Sequence, residues 1–268
     1  MSLTSIYLLS LILCALFTTF VFSVAQKKKD NSIMDVAYGQ TFIFTSVVLG
    51  YLGISQNIFP HFSFLIVFFI LIWGVRLSYR IYKRNKGKGE DFRYAAWREL
   101  WTKKGKLYFF VRSYLQIFIL QAFVVSLVLL PLTLSLRDGG TLYGISLLTI
   151  LGVLLWIIGF FFEAVGDAEL DSFLAQRNKH GKKFLTTGLF SLTRHPNYFG
   201  EATMWLGLAT IAFSGGAPFL VFISPLLITI LLLYVSGIPM VEKRWQGDPE
   251  WEEYAKKTRG FLPFPKKT

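Results

Sequence analysis

An all-α integral membrane protein, a bundle of seven transmembrane helices with long cytoplasmic loops, is the fold class that this 268-residue sequence predicts. Three observations carry the prediction. Composition is the first: 53% of residues are apolar and 16% are charged, against roughly 45–50% and about 25% in soluble domains. The second is a set of apolar runs at 4–25, 36–54, 58–79, 108–132, 141–165, 198–214 and 217–240, each close to the ~20 residues a helix needs to cross hydrocarbon. The third is where the charge sits. Of the 28 Lys and Arg, 25 fall after the first, third, fifth and seventh runs, and only Arg137 lies in a turn of the opposite face. With alternating helices, the excess of positive loops on the cytoplasmic side puts the N-terminus outside and the C-terminus in the cytoplasm.

Taken in order, the first run lacks a basic n-region, exceeds the length of a signal-peptide core and is followed by Lys27, Lys28 and Lys29, so it reads as a retained span. Its Cys14 is the only cysteine; that excludes an intrachain disulfide and a thiolate metal cage, and leaves packing as its role. The second run opens with Asp35 and Tyr38, spaced i, i+3. A buried aspartic acid there is able to stay protonated and act beside the phenol as an acid on a carbonyl; the other reading is a capping box in which Ser32 caps the helix and Asp35 returns the bond.

The outer connections are short turns, whereas 80–107, 166–197 and 241–268 are long and polar, which places any chemistry at the cytoplasmic face. In the first of these, Gly87 and Gly89 alternate with Lys86 and Lys88, a pattern that lets backbone and ammonium groups approach phosphate, free or in a lipid headgroup. The fifth run ends in Glu163, Asp167 and Asp171, spaced i, i+4, i+8 on one helical face. Three stacked acids at a membrane boundary need donors or cations, and an ionisable residue inside a span is a functional candidate; a solvated helix end is the plainer account. Before the sixth run stands Arg194-His195-Pro196-Asn197-Tyr198-Phe199-Gly200-Glu201. Pro196 suits a first helical turn, after which Asn197, Glu201 and Trp205 share a face. An amide, a carboxylate and an indole in a row suit a nucleotide better than lipid, although Arg194 and His195 also fit as interfacial anchors and Trp205 as bundle packing.

The net charge of +12 is distributed among membrane loops, so no nucleic-acid partner is expected. His61, His180 and His195 lack metal-ligand spacing. No repeat or linker divides the chain, which reads as one membrane domain over 1–268.

The blocks Asp167-Ala168-Glu169-Leu170, Thr187-Gly188-Leu189-Phe190 and Arg194 to Glu201 resemble the C-terminal half of the steroid 5-alpha-reductase family, and most closely its mainly bacterial branch. Gly87 to Tyr94, Asp35 to Gly39, Ser236 to Pro239 and Phe261 to Phe264 extend the resemblance over most of the chain. It implies a seven-helix membrane enzyme that binds NADPH on its cytosolic side and reduces a carbon–carbon double bond conjugated to a carbonyl. By position, Asp167, Asn197 and Glu201 would hold the adenosine and nicotinamide ends, Trp205 would lie against the nicotinamide or the substrate, and Lys183 and Arg177 would meet phosphate. Glu163, Arg194, His195 and Tyr198 complete the expected cofactor set. The Gln-Glu pair and the tyrosine with which the well-studied steroid reductases hold the substrate ketone are absent; the third run reads Trp73-Gly74-Val75-Arg76 there, and Asp35 and Tyr38 are the substitutes expected to act on the substrate. The resemblance makes 1–135 the substrate half and 141–268 the cofactor half.

The expected partners are the bilayer and a hydrophobic substrate entering from it, in a bacterial inner membrane or, for a eukaryotic source, the endoplasmic reticulum. Isoprenylcysteine- and phospholipid-type methyltransferases that use S-adenosylmethionine share an Arg-His-Pro-x-Tyr element and are the alternative enzyme class; here their acidic C-terminal pair is half met, by Glu242 followed by Lys243, with Glu252-Glu253-Tyr254 nearby. A lipid-binding or transport protein fits less well, since the polar residues gather at one face.

Overall fold

A computed structural model of the protein describes residues 2–56, 58, 61–136, 146–176, 181 and 183–264. Helices dominate it: α1 (Leu3–Lys28), α2 (Ile33–Ser55), α3 (His61–Asn85) and α4 (Phe92–Thr102) are followed by α5 (Lys106–Val128), which passes through a π-helical stretch at Tyr114–Ile119. Then come α6 (Leu147–Ala175), α7 (Pro196–Ser214), α8 (Phe219–Trp245) and α9 (Pro249–Lys257). Among the described residues there is no strand, only an isolated parallel bridge between Thr193 and Arg259.

Six of these helices, α1, α2, α3, α5, α6 and α8, are long and apolar enough to cross a membrane, which marks a multi-pass membrane protein. The sixth expected span, α7, has the length but is not among them. Asn197 and Glu201 lower its hydropathy, and it is largely buried, with Leu206 and Phe213 its exposed large apolar residues, so it needs little lipid-compatible surface.

The chain divides into two compact units, 1–144 with 212–221, and 145–211 with 222–268. In the first, α1 shows why the sequence is so apolar. It buries Ser10, Cys14 and Thr18 against its neighbours and turns Leu8, Ile12, Leu16 and Phe20, 49–64% exposed, outward. Large side chains facing out and small polar ones facing in are what a hydrocarbon surrounding favours. Cys14 packs as expected, its Sγ 3.3 Å from Thr45 Oγ1. At the end bearing Lys27 to Lys29, Val21, Met34, Tyr94, Trp101, Phe109 and Phe118 form a buried apolar cluster.

Beside that cluster the second half of the 87–94 loop makes structural contacts. Glu90 accepts from the Asn31 backbone N–H at 2.7 Å and, with both oxygens, from Arg98 at 2.7 and 2.8 Å. Asp35 Oδ2 accepts from Arg93 Nη2 at 2.9 Å and Oδ1 from the Tyr94 hydroxyl. The capping-box alternative is therefore overturned: Ser32 makes no side-chain cap, and its hydroxyl donates to Asp30 instead. α4 is capped by Asp91, which accepts from the Arg93 N–H.

In the second unit, α6 and α7 cross through glycines seven residues apart. Gly152 meets Gly207, Gly159 meets Gly200, and Gly166 meets Pro196. A Cβ on Gly159 would lie 2.5 Å from the Gly200 carbonyl oxygen, and one on Gly200 2.5 Å from that of Gly159. Such small-residue seams allow backbones to approach where lipid gives no hydrophobic drive to associate. The seam sets the end of α6 that carries Glu163 and Asp167 against the first turns of α7.

Candidate functional site

The second unit gathers most of the residues that the sequence singles out. Glu163 and Asp167 are 4% and 3% exposed, too little for a solvated helix end. Asn197, in the first turn of α7, donates from Nδ2 to Asp167 Oδ1 at 3.2 Å, so the glycine seam brings an acid of one motif to the amide of the other. Glu201 follows one turn on. Trp205, a further turn away, is buried at 1% and lies outside the lining of the cavity described next.

That cavity, of about 190 Å³, is walled by Phe173, Phe184, Phe190, Tyr198, Trp245, Trp251 and Tyr254, with Lys183, Arg194, His195 and Asn197 supplying its polar groups. The His195 and Tyr198 rings stack 5.1 Å apart and 6° from parallel. Through Phe173, Phe184 and Leu185 it shares its wall with a groove of about 570 Å³ that carries Glu169, Ser172, Thr186 and Thr187. The cavity by itself suits a single planar ring, and with the groove it reaches the size of ordinary cofactor sites.

All three guanidinium nitrogens of Arg194 are engaged. Its Nε and Nη2 donate to the two carboxylate oxygens of Glu242 at 2.9 and 3.1 Å, Nη1 donates to the carbonyls of Ala255 and Thr258, and the guanidinium lies over Trp251. This planar fork, which a lysine cannot reproduce, ties the C-terminal segment to the head of α7. His195 joins the same carboxylate, with Nε2 2.8 Å from Glu242 Oε1. Its Nδ1 has no hydrogen-bond partner among the described residues, and neither has Asn197 Oδ1. At the rim, Lys183 Nζ donates to Asp248 Oδ2 at 3.0 Å and stands 3.9 Å from Glu250; these contacts hold the Lys183 ammonium above its usual pKa and the Asp248 carboxyl below its own. Arg177 lies outside the described residues, as does Arg137.

Asp35 and Tyr38 belong to the first unit. Both Asp35 oxygens accept hydrogen bonds, and Tyr38 packs edge-on against Phe42. Burial, and then the Asp35 carboxylate, push the Tyr94 phenol far above its ordinary pKa.

Reading by motif did not single out the aromatic wall from α9 and its approach, Trp245, Trp251 and Tyr254. Its signal was present, since Asp248-Pro249 is a cap followed by a helix start, and Trp251 and Tyr254 lie i, i+3 on the helix that follows.

A helical membrane protein with a part-buried acid–amide pair beside an aromatic cavity is the class that fold and site define. The chain belongs to the family described as "Protein of unknown function (DUF1295)", whose family model matches residues 21–258. It is similar to the uncharacterised protein C594.04c of Schizosaccharomyces pombe, at 23% identity over 76% of this chain and 63% of that protein. It is also similar to Steroid 5-alpha-reductase DET2 of Arabidopsis thaliana, at 30% identity over 43% of this chain and 41% of that protein. The matches thus span less than two thirds of each of these relatives. No solved structure matches.

Proposed function

We propose that this protein is an NADPH-dependent membrane reductase that saturates a carbon–carbon double bond conjugated to a carbonyl in a lipid-soluble substrate. The observation that carries this reading is the Asp167–Asn197 contact at the head of α7, placed beside an aromatic cavity of ring size. The similarity to a steroid 5-alpha-reductase supports the reaction class.

The residues present fit a nicotinamide nucleotide in three respects: flat aromatic walls for a ring, His195 Nδ1 and Asn197 Oδ1 left for a ligand, and a hydroxyl-lined groove beside them for a ribose. NADPH, when bound, supplies the hydride. Asp167 orients the Asn197 amide so that Oδ1 is left to accept from the ligand. Phe173, Trp251 and Tyr254 keep water from the cavity. Lys183, at the rim, offers an ammonium to phosphate by exchanging Asp248 for it, and Arg177 and Glu201 complete the cofactor set.

The acid for the substrate is assigned to the first unit. There Tyr38 is the proposed proton donor, and Asp35 holds the Tyr94 hydroxyl while Arg93 balances its charge. The substrate is a hydrophobic molecule taken from the bilayer. α7 serves as a seventh span in a bacterial inner membrane or an endoplasmic reticulum membrane, and the charge distribution supports an outer N-terminus with a cytosolic C-terminus.

The test is NADPH affinity in detergent-purified variants. Asn197→Ala and Glu201→Ala are expected to weaken binding about tenfold or more, as loss of a buried hydrogen bond does; unchanged affinity in both removes the cofactor assignment.

A further inference from the structure

Glu242 stands outside the cavity lining, yet it is the residue on which Arg194 and His195 converge. Its Oε1 is 2.8 Å from His195 Nε2 and 2.9 Å from Arg194 Nε, and its Oε2 is 3.1 Å from Arg194 Nη2. A carboxylate only accepts, so Nε2 must carry a proton. A neutral ring that keeps its proton on Nε2 carries its lone pair on Nδ1. His195 is 6% exposed and lines the cavity, and Nδ1 is its one ring position without a partner among the described residues. Asn197 lines the same cavity, and its Oδ1 is likewise an acceptor without a partner among the described residues. Two acceptors in an aromatic slot call for a planar ligand that carries N–H donors.

We infer that Glu242 is a positioning residue that holds His195 as the Nε2–H tautomer, so that Nδ1 and Asn197 Oδ1 accept hydrogen bonds from the exocyclic N–H group of a planar heteroaromatic ring in the cavity. Two sources share that chemistry, the amino group of an adenine and the carboxamide of a nicotinamide. That the ring belongs to NADPH rests on the function proposed above; the tautomer does not.

The experiment is long-range proton–nitrogen NMR on detergent-solubilised full-length protein labelled with ¹⁵N-histidine. The chain has 3 histidines, so His195 is assigned by its loss in His195→Gln or, should that variant not fold, by elimination with His61→Gln and His180→Gln. The wild-type spectrum is expected to show His195 neutral with its proton on Nε2. In Glu242→Gln, whose amide can donate to Nε2, the Nδ1–H form is expected to rise at least about fivefold. Reduced nicotinamide mononucleotide and adenosine monophosphate are then added separately. The fragment whose ring enters the cavity is expected to move the Nδ1 resonance and leave Nε2 in place, and to bind about two- to tenfold more weakly to Glu242→Gln, the span of one ordinary hydrogen bond. A merely structural Glu242 would change stability and leave the tautomer as it is.

An imidazolium or an Nδ1–H ring in the wild type at neutral pH overturns the inference, and so does an Nδ1 resonance that neither the fragments nor NADPH moves. If NADPH fails to bind while adenosine monophosphate moves Nδ1 of an Nε2–H ring, the reductase reading falls and this one stands.

Discussion

Gly159 and Gly200 meet backbone to backbone, so near that a Cβ on either would lie 2.5 Å from the other's carbonyl oxygen. Gly200 belongs to the same turns of α7 as Asn197, which makes this crossing the device that sets Asn197 against Asp167. Gly159→Val and Gly200→Val are each expected to destabilise the protein by about 1–3 kcal/mol through overpacking, and to lower nucleotide affinity as well. Gly89 is the control, since a Cβ there meets nothing within 4 Å; Gly89→Ala is expected to stay within about 0.5 kcal/mol. Thermal unfolding in micelles checks both. Equal effects at Gly89 and Gly200 would contradict the seam.

Glu90 joins α4 to the turn between α1 and α2, taking the Asn31 N–H and two Arg98 donors with a side chain only 10% exposed. Glu90→Ala leaves a backbone donor and a guanidinium without their acceptor and is expected to cost about 1–3 kcal/mol, measured in the same unfolding assay. Were the 87–94 loop instead a phosphate cradle, the substitution would leave stability unchanged and alter ligand binding.

That loop shows where sequence reasoning stopped. Six helices were legible because lipid imposes a simple rule of length and hydropathy, and that rule held over Leu3–Lys28 and Leu147–Ala175 alike. The basic character of 80–107 was also legible, but the partners of its charges were not. Arg93 finds Asp35, which is 58 positions away, and no local spacing announces such a pairing. The partner of Arg194 was hidden in the same way, because Glu242, which takes up its fork, lies 48 positions on. The pairing of Asp167 with Asn197 crosses 30 positions; each residue drew attention alone, and the glycines at 152, 159 and 166 that bring them together were in plain view as a seven-residue spacing.

Arg194 holds the C-terminal segment by four side-chain hydrogen bonds, so Arg194→Lys, which keeps the charge and loses the fork, is expected to cost roughly 2–4 kcal/mol. Limited trypsin digestion provides a second readout, with Lys256 and Lys257 of α9 cut faster in the variant. Wild-type resistance in Arg194→Lys would show that the latch lies elsewhere.

Acid should loosen α9 before the bundle. Asp248 caps the helix and pairs with Lys183, whose hydrogen bond is the largest influence holding the Asp248 carboxyl below its usual pKa. A depressed carboxyl contributes stability above the unfolded-state pKa of about 3.9 and loses it as pH falls through the folded value. Lys183, raised mainly by the same bond, keeps its contribution below about pH 10 and loses it above that. The fluorescence of Trp251 is therefore expected to be steady between about pH 4 and 10 and to change below that window. In Asp248→Asn that change should be absent; an identical acid transition in the variant would rule out Asp248 as its source.

The central claim is the identity of the nucleotide, and the thermal unfolding midpoint of the detergent-purified protein tests it most directly, read with NADPH and with S-adenosylmethionine in parallel. A ligand that binds the native state raises the midpoint with its concentration. The expected result is a concentration-dependent rise with NADPH that Asn197→Ala abolishes, and none with S-adenosylmethionine. A rise with S-adenosylmethionine alone would make the chain a methyltransferase and contradict the account.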